Sequence, residues 1–144
     1  MKNILLVHGP NLNRLGRRDA HHYGTISHAD LVTQVKLWAQ ERDASMRAYQ
    51  SNHEGSLIDV LQEQGDWADG ALVNFGALSH SSYALHDALV DFGKPVIEVH
   101  LSKISEREAW RRVSVTRPAC VDGVEGLGPE GYRVALEALL ARLA

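Results

Sequence analysis

"ALVNFGALSHSSYALHDALVDFGKPVIEVH", residues 71–100, decides the fold of this chain. It begins with an apolar run at 71–75 and ends with another at 95–100, and between them the apolar residues of 81–92 recur at helical spacing. Short apolar runs bounded by Gly and Pro are typical of buried strands. A strand, a helix and a second strand in this order predict two parallel strands joined by a crossover helix.

The same alternation continues on both sides of this unit. Further strands are predicted at 3–8, 45–50 and, most weakly, 119–124, and further helices at 26–40, 56–64, 105–112 and 132–143. This order predicts an α/β protein with a flavodoxin-like, doubly wound, five-stranded parallel sheet and helices on both faces. No repeat or linker divides the chain, so residues 1–144 are expected to form a single domain.

The composition excludes several classes of protein. Of the 144 residues, 44% are hydrophobic and 23% are charged, which is typical of a globular domain. The net charge of -3 argues against a nucleic-acid partner, and the N-terminal apolar run is too short for a signal peptide or a membrane span. The single cysteine, Cys120, rules out an intrachain disulfide and favours the cytoplasm.

Nearly all the unusual polar residues follow the carboxyl ends of predicted strands, in segments 9–24, 51–55, 74–82 and 98–112. Ligands of open α/β sheets bind at that edge, near the point where the strand order reverses. The first segment, "GPNLNRLGRRDAHHYG", is far longer than the roughly 2–6 residues that such a connection needs. These observations predict a functional site along one edge of the sheet.

The first segment offers a base and a pair of amide donors. A tyrosine hydroxyl ordinarily ionises near pH 10. Arg17 and Arg18, the arginines near Tyr23 in the sequence, would favour its anion and make it a base for a carbon-bound proton. Asn11 and Asn13 are expected to face one side of an extended loop, where amides stabilise an oxyanion. The alternatives are a packed tyrosine with solvated arginines, and asparagines that cap turns.

The later segments offer an acid and anion-binding groups. Glu98 and His100 lie two apart on a strand, so they share a face, and a carboxylate beside a histidine favours its protonated form. Arg107 and Arg111 would share one face of the helix at 105–112, either for carboxylate recognition or simply in water. A further polar group precedes the helix at 81–92 and would bind an anion or cap that helix: Asn74, Ser79, His80, Ser81 and Ser82.

A metal site is not expected. His21, His22, His28 and His53 lack the spacing of metal ligands, and cysteine partners are absent. The groups described above instead suit a polyhydroxylated carboxylic acid that undergoes proton abstraction, enolate stabilisation and loss of a hydroxyl group.

Five stretches of the sequence together resemble the type II 3-dehydroquinate dehydratase family. They are "GPNLNRLG" (9–16) with Tyr23 and Gly24, "QSNHEGSLID" (50–59), "NFGALSHSS" (74–82), "PVIEVHLS" (95–102) and the following "ERE" and "RR". The resemblance runs from about residue 3 to residue 140. It implies a flavodoxin-like fold, a dodecamer of four trimers, and trans-dehydration of 3-dehydroquinate to 3-dehydroshikimate without cofactor or metal, with the first loop acting as a lid.

The resemblance also implies roles for individual residues. Tyr23 would remove the C2 proton with Arg18 beside it, and Asn11 would help to stabilise the enolate through a bound water. His100 would protonate the departing C1 hydroxyl, supported by Glu98. The remaining matched positions are substrate-binding Asn74, His80 and Arg111, the Leu101–Ser102 backbone for the carboxylate, Asp87 from a neighbouring subunit, and Arg107 in support of the tyrosine.

The sequence departs from the family at a few positions and leaves other readings open. Phe75 and Leu78 replace a Pro and a Tyr of the usual "NPGAYTHTS", and Asp122 and Glu125 are expected to alter a contact surface.

The reaction could serve the shikimate pathway, which leads to chorismate and the aromatic amino acids, or quinate breakdown. The remaining alternatives are a non-catalytic relative that binds a shikimate-like ligand and a plain flavodoxin-like binding protein.

Overall fold

A five-stranded parallel sheet organises the molecule, which a computed structural model describes for all residues 1–144. The strands are β1 (Lys2–His8), β2 (Ala44–Gln50), β3 (Gly70–Asn74), β4 (Val96–His100) and β5 (Asp122–Glu125). Their order in the sheet is β2-β1-β3-β4-β5, and every neighbouring pair is parallel. This is the flavodoxin-like order, in which the connection direction reverses between β1 and β3. The expected fold is therefore confirmed.

Five α-helices accompany the sheet: α1 (Ala20–Tyr23), α2 (His28–Glu41), α3 (Glu54–Gln64), α4 (Tyr83–Phe92) and α5 (Glu130–Leu143). Alternation along β1 sends Ile4 and Leu6 into one core with α2 and α5, and Leu5 and Val7 into another with α3 and α4. Helices thus cover both faces, as the sequence predicts. No helix is both long enough and apolar enough to cross a membrane.

Serine side chains cap the N-termini of two of these helices. The Ser27 hydroxyl accepts a hydrogen bond from the backbone N–H of Asp30 at 3.1 Å, and the Ser82 hydroxyl accepts one from Leu85 at 3.0 Å. Each bond satisfies one of the N–H groups that a helix leaves without an internal partner. Of the serines preceding α4, Ser82 is therefore the cap.

The prediction of a helix at 105–112 is wrong. Two 3₁₀ turns, Ile104–Glu106 and Ala109–Arg111, replace it, with extended backbone at Arg107 between them. Ile104 is the only buried apolar side chain in this stretch, so a continuous helix would have no apolar face to pack against the core. Arg107 and Arg111 consequently do not share a helix face.

The strand predicted at 119–124 begins three residues later, since β5 covers Asp122–Glu125. A 3₁₀ turn at Arg117–Ala119, with a proline in its first positions, occupies the preceding residues. Proline fixes a backbone angle that suits a helical turn and donates no hydrogen bond to a sheet. Asp122 and Gly123, which lie inside the predicted range, are the first two residues of the observed strand.

Gly9 lies where the loop after β1 crosses the loop after β3. A Cβ atom at this position would be 2.5 Å from the carbonyl oxygen of Phe75, and the Gly9 N–H donates to the carbonyl of Asn74 at 2.8 Å. Only a residue without a side chain permits the two backbones to approach so closely. This contact holds together the two loops that border the candidate site.

Gly9→Ala is expected to lower the free energy of unfolding by about 1–3 kcal/mol, the usual cost of overpacking. Urea denaturation followed by circular dichroism measures it. Gly55→Ala in α3 is the matched control, because an added Cβ there meets nothing within 4 Å and alanine favours a helix. A Gly9→Ala midpoint equal to that of the unmodified protein would contradict the close approach.

Candidate active site

A pocket lies beyond the carboxyl ends of β1, β3 and β4. Three of the four polar segments, 9–24, 74–82 and 98–112, contribute to its wall. Segment 51–55 does not reach the wall, but the Asn52 side chain accepts a hydrogen bond from the Asn11 backbone at 3.0 Å. The pocket includes most of the expected site residues: Asn11, Arg18, Tyr23, Asn74, His80, His100, Leu101, Ser102, Arg107 and Arg111.

Tyr23 stands between two arginines in this pocket. It ends the short helix α1, which Asp19 caps by accepting from the His21 N–H at 2.9 Å. The Arg107 guanidinium donates to the Tyr23 hydroxyl oxygen at 2.7 Å, and the guanidinium carbon of Arg18 lies 3.6 Å from the ring centroid. A cation that donates directly to the phenol oxygen stabilises the phenolate more than the phenol. The geometry therefore suits a tyrosine that accepts a proton.

The arginines at Tyr23 differ from the sequence-based expectation. Arg17 is exposed and does not line the pocket, because the chain bends at 14–18 and turns that side chain to solvent. Arg107, expected only in a supporting position, makes the contact with the phenol oxygen instead. It comes from a segment 84 residues away in the chain.

Arg18, Arg107 and Arg111 gather at the same pocket wall. Burial lowers the pKa of the Arg18 guanidinium, Tyr23 opposes this shift, and Arg107 and Arg111 add to it. The Arg107 side chain is 9% exposed, and its Nε atom is buried without a hydrogen-bond partner. The Glu108 carboxylate offsets part of the charge, since it lies 2.8 Å from Arg111 Nε and 3.6 Å from Arg107 Nε. Arginine remains protonated in proteins, so three cations against one carboxylate leave a net positive charge that an anionic ligand would compensate.

Glu98 and His100 form a buried pair, as their spacing on one strand predicts. The His100 Nε2 atom lies 3.0 Å from a Glu98 carboxylate oxygen, and both residues are less than 10% exposed. Burial alone would raise the pKa of Glu98, but hydrogen bonds from His100, Thr116 and Ser114 outweigh it, so the pKa lies below its usual range. An ionised Glu98 only accepts, so Nε2 of His100 carries a proton and Nδ1 is left for a ligand.

His80 stacks on His100 in the pocket wall, with ring centroids 6.1 Å apart and an interplanar angle of 19°. Its Nδ1 atom donates to the carbonyl oxygen of Val113 at 2.8 Å. Burial is the main cause that lowers the pKa of His80, and the Val113 carbonyl opposes it. Neutral His80 therefore offers its Nε2 atom as an acceptor for a ligand hydroxyl.

Asn74 and the Leu101–Ser102 segment supply the fixed polar groups of the wall. The Asn74 side-chain oxygen accepts from the Gly76 N–H at 3.1 Å, so its NH₂ group is oriented. The carbonyl oxygens of Leu101 and Ser102 accept from Gly128 and Gly126, both at 3.2 Å, which holds that strand end in place. These positions fit the substrate-binding roles that the resemblance implies.

Asn11 and Asn13 do not face the same side, so that prediction is wrong. Asn11 adopts a left-handed backbone conformation with φ of 71°, and a 3₁₀ turn at Leu12–Arg14 follows it. An extended loop would have alternated its side chains, whereas this turn sends Leu12 into the core and Asn13 away from the pocket. Asn11 alone of the pair lines the pocket.

Two other sets of expected residues lie outside the pocket. Asp87 is exposed on α4 and does not line the pocket of its own chain. His21 and His22 are neighbours in α1, whereas His28 begins α2 and His53 directly precedes α3. Nowhere in the chain do three or more His, Cys, Asp or Glu side chains form a group that could hold a metal ion.

The residues that depart from the family pattern make contacts within the chain. Phe75 is fully buried and packs in the core with α3 and α4, and Leu78 packs against that core. Glu125 accepts from the Ser105 hydroxyl at 2.6 Å, and Asp122 accepts from the Gly123 N–H at 2.8 Å. These substitutions are thus accommodated without entering the pocket wall.

Sequence reasoning missed a polar group directly behind Asn74. The Asn74 NH₂ group lies 3.1 Å from the Tyr132 hydroxyl, which lies 2.9 Å from His8 Nε2. His8 and Asn74 are register partners in β1 and β3, and both point toward α5. The signal was available, because His8 has the same parity as the inward-facing Ile4 and Leu6.

The buried His8 makes stability depend on pH. Burial, and secondarily His28, lowers the pKa of His8 from 6.5 to about 3, so the folded chain leaves it neutral while the unfolded chain protonates it. The unfolded state then binds more protons, and the free energy of unfolding is expected to fall as pH drops from 6.5 toward 3. The slope from this group is about 1.4 kcal/mol per pH unit.

Urea titrations at several pH values measure that slope. His8→Asn should make it shallower, whereas His53→Asn, at an exposed position, should leave it unchanged. Equal slopes for all three proteins would show that His8 is not neutral and buried.

The fold and this pocket define the class of the protein. The chain belongs to the dehydroquinase class II family, whose model matches residues 2–140, and it is accordingly a hydro-lyase. A 3-dehydroquinate dehydratase of Dictyoglomus turgidum is 48% identical over 139 residues, covering 96% of both chains. One from Bacillus mycoides is 46% identical over 143 residues, covering 99% of this chain and 98% of the relative.

Solved structures show the same likeness. A type II dehydroquinase from Butyrivibrio crossotus matches with a TM-score of 0.94 and 40% identity, covering 96% of this chain and 97% of the other. A type II dehydroquinase from Propionibacterium acnes matches with a TM-score of 0.94 and 36% identity, covering 98% and 97%. The match therefore extends over nearly the whole fold.

Proposed function

We propose that the protein dehydrates 3-dehydroquinate to 3-dehydroshikimate through an enolate, with its own side chains as base and acid and without cofactor or metal. The names of its relatives support the substrate. The observation that carries the mechanism is the pocket itself, which holds a tyrosine contacted by Arg107 and a histidine backed by Glu98.

The first step breaks the C2–H bond. The Tyr23 phenolate accepts this proton, and the electron pair of the bond moves toward the C3 carbonyl to form the enolate. Arg107 donates to the phenol oxygen and Arg18 lies over the ring, so both cations lie beside the group that accepts the proton. Asn11, on the pocket wall, helps to stabilise the enolate oxygen through a water molecule.

The second step breaks the C1–O bond. The enolate electrons form the C1–C2 double bond, and His100 gives the departing hydroxyl a proton, so that water leaves. Glu98 is ionised and accepts from Nε2, which stabilises the positive charge of the protonated imidazole and directs Nδ1 to the reaction. Proton abstraction and hydroxyl loss thus use separate groups.

The remaining wall residues bind the substrate. Asn74, His80 and Arg111 contact its hydroxyl groups, and the Leu101–Ser102 backbone receives its carboxylate. The positive charge of the nearby arginines favours this anion over a neutral analogue. Arginine side chains within one pocket wall support this assignment.

The direct test mixes purified, chelator-treated protein with 3-dehydroquinate and follows the ultraviolet absorbance of the conjugated enone product. A rise that chelation leaves unchanged supports both the dehydration and the absence of a metal. Loss of the signal on chelation, with recovery on adding metal, would contradict the metal-free mechanism. A flat trace from folded protein that still binds the substrate would favour the non-catalytic relative.

We also propose that the protein acts in the shikimate pathway in the cytoplasm, as a single domain that assembles into a dodecamer of trimers. The resemblance supports this assembly, as do large apolar side chains at the surface, including Tyr83 at 72% and Val113 at 65% exposure. Asp87 then completes the pocket of a neighbouring copy. Light scattering that gives the mass of a monomer at assay concentration would contradict the assembly.

The pathway needs a separate test, because quinate breakdown uses the same reaction. A strain in which the gene for this protein is disrupted, grown without aromatic amino acids, distinguishes the biosynthetic role from the catabolic role. Failure to grow, with rescue by the product 3-dehydroshikimate, supports biosynthesis. Normal growth without aromatic supplements, combined with failure on quinate, would favour the catabolic role.

A further inference from the structure

A line of four hydrogen-bonded side chains leads from the pocket to the start of α2. Asn74 lines the pocket, and its NH₂ group lies 3.1 Å from the Tyr132 hydroxyl. That hydroxyl lies 2.9 Å from His8 Nε2, and His8 Nδ1 lies 2.8 Å from His28 Nε2. Asn74, Tyr132 and His8 are buried, whereas His28 is partly exposed.

The proton positions along this line follow from its inner end. The Asn74 oxygen accepts from the Gly76 N–H, so Asn74 turns its NH₂ group toward Tyr132 and donates to it. The Tyr132 oxygen is then the acceptor, and its own proton goes to His8 Nε2. Neutral His8 must carry its proton on Nδ1 and donate it to His28 Nε2. Every bond in the line therefore has one direction.

We propose that Tyr132 is a positioning residue for the reaction. It accepts one N–H of the Asn74 amide, so the other N–H is free to bind the substrate. His8 and His28 fix the direction of the Tyr132 hydroxyl. This inference rests on the proposed function, in which Asn74 binds substrate. Burial supports it, since it raises the pKa of Tyr132 and keeps the hydroxyl a neutral donor.

The elements explain why these residues meet. His8 and Asn74 end β1 and β3, the two strands at which the sheet changes direction. Tyr132 lies in the first turn of α5, and His28 is the first residue of α2. The line thus joins two strand ends and two helix starts behind the pocket. Of its four residues, only Asn74 lines the pocket wall.

A double-mutant cycle on the intact protein tests the proposal, with Tyr132→Phe and Asn74→Ala combined. Tyr132→Phe alone is expected to raise KM for 3-dehydroquinate about threefold to tenfold, with a smaller change in kcat. This is the effect expected from losing one neutral hydrogen bond. In the Asn74→Ala background the same change should alter kcat/KM by less than about twofold. Tyr49→Phe, partly buried against the other core, is the matched control.

An equal loss of kcat/KM from Tyr132→Phe in both backgrounds would overturn the proposal, because a purely structural role is independent of Asn74. Nitrogen-15 NMR of the unmodified protein tests the line without any variant. His8 and His28 should both be neutral with the proton on Nδ1, and a proton on Nε2 of His8 would overturn the proposal. Inactive unmodified protein would instead contradict the proposed function and leave the NMR result to decide.

Discussion

Replacing Tyr23 by phenylalanine is expected to lower kcat by about 10²–10⁴-fold, the usual contribution of a positioned base. Phenylalanine keeps the ring on which Arg18 lies and removes only the oxygen that Arg107 contacts. The three arginines and the Leu101–Ser102 segment remain, so binding of the product should stay within several-fold of normal. Stopped-flow absorbance measures the turnover, and isothermal titration calorimetry measures product binding.

The matched control is Tyr49→Phe, at a hydroxyl on β2 that does not line the pocket. It removes the same atom and should retain normal turnover. Turnover of Tyr23→Phe close to that of the control would remove Tyr23 from its role as the base. Loss of both turnover and binding would point to a disturbed pocket rather than to a missing base.

Replacing His100 by alanine should separate the two steps of the reaction. Turnover is expected to fall by about 10²–10⁴-fold, because the departing hydroxyl lacks its acid. Tyr23 still removes the C2 proton, so the substrate should exchange hydrogen at C2 for deuterium when it is incubated in heavy water. Proton NMR of the recovered substrate measures this exchange, and Tyr23→Phe should show none.

His53→Ala is the control for this experiment, because its side chain is exposed and does not reach the pocket wall. It should show both normal turnover and no exchange beyond that of the unmodified protein. If His100→Ala turns over normally, His100 is not the acid. If it neither turns over nor exchanges, its loss disturbs the first step as well, and the two roles are not separable.

The sheet and the edge that carries the site were predictable because their signals are local. β3 and β4 are buried over all five residues, and their sequences are apolar except at Asn74, Glu98 and His100. Parallel strands end at a common edge, which let the sequence bring distant loops together. The pairing of Glu98 with His100 followed from spacing alone.

The contacts that sequence reasoning missed depend on distant segments. No local pattern shows that Arg107 reaches Tyr23, since extended backbone at Arg107 replaces the expected helix and carries the side chain inward. The position of Asn11 likewise involves a distant segment, since its backbone N–H donates to the side chain of Asn52, 41 residues away. Tertiary packing therefore decides which polar residue of each segment enters the pocket.

The bond between His8 and Tyr132 has a consequence for how the chain folds. It joins residues 124 positions apart, linking the first strand to the last helix. Closing so long a loop costs conformational entropy and makes such contacts slow to form. The contacts of Tyr132 with His8 and Asn74 therefore form only after α5 docks. Enzyme activity should accordingly appear later in refolding than most of the helical circular dichroism signal.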